Sequence, residues 1–184
     1  PIYDGSEGLS VRNCTISRSQ QGIFTWSTRP IDISEVAFHV LGMGIGVTGH
    51  CESLNVSGCR FVGGVNWGID IQTSGTSFLI EDCEFEEMPA VISWGADGSI
   101  VDCDVHRTTG NDGLGMIIRD AAHVTLRDCT IETTRKAVVT KYDASITATS
   151  CTFLAGERTL AFTDNGTGAI HDSHDRAQMA EMIT

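Results

Sequence analysis

Arg119 and Lys141 close two matching apolar runs, Met-Ile-Ile-Arg (116–119) and Val-Val-Thr-Lys (138–141), in successive copies of a repeat. If the copies stack as neighbouring strands, the two cations stand about 4.8 Å apart on one face. Like charges placed so repel. A bound carboxylate relieves that repulsion, and the neighbouring cation pulls the lysine pKa toward that of a useful base. The pair therefore suits β-elimination on a uronate, with Arg119 neutralising the carboxylate and Lys141 or Arg119 taking the C5 proton. The plainer expectation is two solvated charges paired with Asp120 and Asp143 in the following turns.

Other residues fit the same surface. Trp26 and Trp94 present flat apolar faces for a sugar ring, and Gln72 falls at the equivalent strand position. Asp70 is the only acid on these strands. With Asp97 or Asp120 it is the candidate for hydrolysis by inversion, which needs two carboxyls about 6.5–9.5 Å apart. The loop 107–114 precedes the strand bearing Arg119, so Asp112 and His106 could border the same groove. Asp120, Asp143 and Asp164 suit turns. His39, His50, His106 and His123 lack metal-ligand spacing. No metal site is expected and no cofactor is called for, calcium being the one ion left open.

The elements that must position these residues emerge from internal repetition. Cys14, Cys59, Cys83, Cys103, Cys129 and Cys151 each have an apolar residue two places on, and Val36 with Phe38 fills the one gap. The spacings along this series are 22, 23, 24, 20, 26 and 22, the mark of a solenoid. Each period holds three short strands. The first reads apolar–x–apolar, as in Ile31/Ile33 or Val124/Leu126. A polar corner follows, ending in Asn13, Glu35, Gly58, Asp82, Asp102, Asp128 or Ser150. The Cys–x–apolar unit is the second strand, and runs such as Gly-Ile-Asp-Ile (68–71) are the third. Alternation sends residues i and i+2 to one face. The cysteines then form an internal ladder of free thiols acting as small hydrophobes. Cys51, outside that ladder, is the candidate reactive thiol.

This pattern predicts an all-β chain: a right-handed parallel β-helix of about seven coils of about 23 residues. The outward third-strand ladder is expected to be Tyr3, Trp26, Thr48, Gln72, Trp94, Arg119, Lys141 and Thr163. Its companion, two residues earlier, contains Phe24, Asp70, Ile92, Ile117 and Val139. The repeat spans residues 1–168, and 169–184 form a cap or tail with helix-like spacing at Met179, Met182 and Ile183. The chain opens at Pro1 without methionine and is read as a piece of a longer β-helix.

The coil, with its polar corner before an inward Cys-x-Ile/Phe, resembles the pectate-lyase-like β-helix superfamily over residues 1 to about 165. That resemblance implies substrate binding along the third strands and their loops. It implies a glycan partner, an acidic polysaccharide above all, handled by a lyase or a glycoside hydrolase. The clustered Asp, Gly-His-Gly and Arg-x-Lys signatures of polygalacturonase-like hydrolases are absent, as is the Asp-Pro-His of alginate epimerases. It also implies a setting outside the cell or on a cell or virion surface. The rival expectation is a non-catalytic tailspike, adhesin or stalk, a homo-oligomer (a trimer) joined through outward Ile92, Ile117 and Val139.

Composition narrows the rest. A net charge of −12 argues against nucleic acid or an anionic membrane as partner. Apolar residues make up 41%, yet no run approaches the roughly 18 residues of a spanning helix.

Overall fold

The computed structural model describes residues 2–4, 8–26, 29–49, 51–64, 66–108 and 113–175. All its strand pairings are parallel, and they make two sheets. The third strands form an eight-stranded sheet: Ile2–Asp4, Gln21–Thr25, Met43–Thr48, Ile69–Gln72, Val91–Trp94, Leu114–Arg119, Lys136–Lys141 and Arg158–Thr163. The first and second strands together form a fourteen-stranded sheet, folded where Ile31–His39 runs continuously through the corner. Two coils therefore hold two strands rather than three, because Leu9–Ser17 also turns the corner without a break. No α-helix occurs among the described residues.

One residue makes the corner in every coil. Asn13, Glu35, Gly58, Asp82, Asp102, Asp128, Ser150 and Asp172 all have φ between 46° and 58°. That left-handed conformation favours Gly, Asn and Asp. The residue after it turns inward. Cys59, Cys83, Cys103, Cys129 and Cys151 are buried free thiols, and their Sγ atoms lie 3.2–3.4 Å from the carbonyl two residues back. A valine would fill this space but leave the corner carbonyls without that weak donor. Cys14, in the first coil, is exposed.

Cys51 does not match the reactive thiol expected of it. It is fully buried, and its Sγ lies 3.5 Å from Thr76 Oγ1. Burial pushes its pKa up, against a smaller downward pull from Thr76. It belongs to a second inward ladder, with Thr76, Ala96, Ala122 and Ala144, at the turn from third strand to first.

Deeper in the core, Phe38, Phe61 and Phe85 stack with centroids 4.7 Å apart and interplanar angles of 1° and 4°. Opposite them the third strand must start on a small residue. A Cβ on Gly44 would sit 2.6 Å from Phe61 Cδ1, and one on Gly68 2.5 Å from Phe85 Cδ1. Gly98 fills an inward position for the same reason, since Phe78 occupies its space.

The stack runs past the expected boundary at residue 168. Thr167–His171 pairs with Ser145–Thr149, and His174–Asp175 with Thr152–Ala155. Gly168 and Ile170 continue the first-strand positions, and the polar residues after them occupy the corner. The helix expected near Met179 lies outside the described residues.

Gly68→Ala is expected to lower stability by about 1–3 kcal/mol through overpacking against Phe85, read as a fall in the urea midpoint. Asp82→Gly, at a corner where φ is 52°, is expected to leave the midpoint nearly unchanged. Equal losses in both would contradict this packing account.

Candidate functional site

Strand register decides which outward side chains meet. Thr48 pairs with Gln72, Trp94 with Arg119, and Lys141 with Thr163. Ile118 pairs with Thr140, which sets Lys141 one coil beyond Arg119. Tyr3 departs from the expected ladder, since it pairs with Phe24 rather than standing level with Trp26. Ile2 aligns with Ile23, keeping apolar residues level in neighbouring strands.

Arg119 is the centre of the best-formed cluster on this face. Its guanidinium lies over the Trp94 ring at 3.9 Å and the Tyr142 ring at 4.9 Å. Its Nε–H donates to Asp120 Oδ2 at 2.8 Å, while among the described residues its terminal nitrogens have no hydrogen bond. Lys141, half-buried, forms no ion pair among the described residues. Repulsion between the two cations is thus answered on the arginine side by two aromatic faces and one carboxylate. Sequence reasoning missed Tyr142. It follows Lys141 directly and has φ 53°, so the turn swings its ring back over the neighbouring coil.

Asp70 lies toward the other end of the cluster. It is 9% exposed although its strand position is outward. Oδ2 accepts from Gln72 Nε2 at 2.7 Å. Oδ1 and the Trp94 Nε1 are both buried and have no hydrogen-bond partner among the described residues. Burial raises the Asp70 pKa, with smaller downward pulls from Gln72 and from the nearby indole N–H, whose geometry falls short of a hydrogen bond. Burial thus disfavours the ionised form of this carboxyl.

The remaining candidates are dispersed. Trp26 is exposed and tilted 58° to Phe24 at 6.2 Å, but Thr48 and Gln72 separate it from Trp94. That is three coils, about 14 Å. His106 is on the second-strand face, 3.7 Å from Glu132 Oε2; it is not beside Arg119. Asp112 lies outside the described residues. Asp120, Asp143 and Asp164 take φ of 60°, 61° and 50°, the turn role expected of them. The apolar stripe is mostly covered within the single chain: Ile92 and Val139 are buried and Ile117 half-buried. Among the described residues no cluster of three His, Cys, Asp or Glu could hold a metal ion.

The family described as the right handed beta helix region matches residues 43–176, well over half of the chain. The protein belongs to the right-handed β-helix family. No curated protein matches it, and neither does any solved structure. Family membership fixes the scaffold and leaves chemistry to the side chains that this particular β-helix carries on its faces.

Asp70 makes a testable contribution to stability. Its folded pKa is raised, so the ionised form is penalised in the folded state. The penalty is absent below the unfolded pKa and complete once pH exceeds the folded one. Asp70→Asn is therefore expected to be more stable than the parent near neutral pH, with the gain shrinking as pH falls through the carboxylate range. Denaturation midpoints at several pH values check this, and a pH-independent difference would contradict it.

Proposed function

We propose that this β-helix binds an acidic polysaccharide along its third-strand face and cleaves it by β-elimination. The observation that carries the reading is Arg119, clamped between Trp94 and Tyr142 and one coil from Lys141, where among the described residues neither its terminal nitrogens nor the lysine has a partner. On a chain of net charge −12, two adjacent cations with free donors are the feature that solvation alone leaves unexplained. Asp120 holds the Nε edge and the rings hold the plane, so the remaining edge is preorganised for a carboxylate.

In this reading Arg119 neutralises the uronate carboxylate and makes the C5 proton more acidic. Lys141, one coil beyond Arg119, is the base that takes that proton. The C4–O bond breaks as the C4–C5 double bond forms, and the departing oxygen takes a proton from water. Asp70 is three coils, about 14 Å, from the level of Lys141. It cannot share one glycosidic bond with Lys141, so it is assigned with Gln72 and Trp94 to a neighbouring sugar. In this reading the protein works outside the cell or on a cell or virion surface, where such polymers occur.

Incubation with a panel of acidic and neutral polysaccharides tests the reading, with ultraviolet absorbance from unsaturated uronates and new reducing ends followed together. Absorbance is expected with an acidic polymer, falling by about 10²-fold or more in Lys141→Ala and strongly in Arg119→Ala. Reducing ends without absorbance would replace elimination by hydrolysis. Activity unchanged in both variants would overturn the assignment.

A further inference from the structure

We propose a second catalytic site on this chain, an Asp97–His123–Ser145 relay suited to hydrolysing acyl esters. The residues start the first strands of three successive coils. Asp97 begins Asp97–Val101, His123 begins His123–Arg127 and Ser145 begins Ser145–Thr149. Gly98 pairs with Val124 and His123 with Ser145, so the three stand in register at steps of about 4.8 Å. Ala96, Ala122 and Ala144, each the preceding residue, are fully buried. Alternation therefore sends all three side chains outward, to one face.

Their order along the ladder is the order an acyl-transfer relay needs. Asp97 Oδ1 lies 3.3 Å from His123 Nδ1 and accepts the His123 backbone N–H at 2.6 Å. The carboxylate is thereby fixed, and its ring contact favours the tautomer with hydrogen on Nδ1. Nε2, on the opposite side of the ring, is then the nitrogen left to accept a proton, and Ser145 is the next residue along the ladder. An exposed pair of this kind contributes little to stability, so stability gives little account of the arrangement.

In the reaction, Ser145 Oγ attacks the acyl carbonyl and its proton passes to Nε2. The tetrahedral oxyanion collapses, the C–O bond to the alcohol breaks, and Nε2 returns the proton to that alcohol. Water repeats the sequence on the acyl-enzyme and frees the acid. An O-acylated sugar of an acidic polymer is the natural substrate. That identity rests on the glycan reading above, whereas the relay does not.

A fluorophosphonate probe and p-nitrophenyl acetate test the relay without any glycan. Covalent labelling located at Ser145 by peptide mass is expected, lost in Ser145→Ala and reduced at least tenfold in His123→Ala. Ser77→Ala, on the same ladder beyond Asp97, should label normally. Acetate ester hydrolysis should follow the same pattern. Absence of label at Ser145, or label indifferent to His123→Ala in a variant that keeps the parental β-sheet circular dichroism, would overturn the proposal.

Discussion

Each coil of this protein must turn from its first strand to its second within a single residue, and the whole solenoid depends on doing so identically every time. The backbone at that residue is left-handed, with φ between 46° and 58° in all eight corners among the described residues. Its N–H bonds the next coil, as when Asp82 donates to the Val101 carbonyl and Asp102 to the Arg127 carbonyl. A corner of constant shape keeps the strands on either side in register, and register places like beside like: thiol over thiol, ring over ring, small residue over small residue. Sequence variety is then spent on side chains that face outward, where a substitution leaves the stack intact.

The consequence for chemistry is that this scaffold builds sites as ladders rather than pockets. Three residues about 22 positions apart in sequence become neighbours about 4.8 Å apart, and a turn residue such as Tyr142 can fold back over the coil before it. The Trp94–Arg119–Tyr142 stack forms in this way. It joins residues from three coils without a cavity closing around them, a geometry suited to a long polymer that runs across coils. It also explains why Asp70, buried beside Gln72, and Lys141 cannot converge on one bond. Strand spacing separates them as firmly as it brings Arg119 and Trp94 together.

Much of this was legible in the sequence because the repeat is written in chemically distinct residues. Cysteine one place after an Asp, Asn or Gly marks the corner, and a Phe or Ile two places later marks the core. The outward third-strand ladder could be read from Thr48 to Thr163 by alternation alone. Tyr3 slipped by two residues because only pairing of Ile2 with Ile23 sets its level. The small residues that face the stacked phenylalanines carried no signal, since glycine in a strand reads first as a breaker. Cys51 looked isolated because its ladder mates are threonine and alanine, not cysteine. Pairing partners were the least legible feature. Whether Arg119 would reach Asp120, Trp94 or a ligand depends on rotamers and on a turn at Tyr142 that no periodicity encodes.

Equilibrium binding measures most directly whether the third-strand face recognises a polyanion. Calorimetric titration of the parent protein and of Lys141→Glu with a polyuronate, and with a neutral glucan for comparison, isolates the charge on the ladder. Binding is expected for the polyuronate alone, weakening as salt is raised and lost in Lys141→Glu. Equal affinity for the neutral polymer, or polyuronate binding unaffected by the charge reversal, would contradict the account.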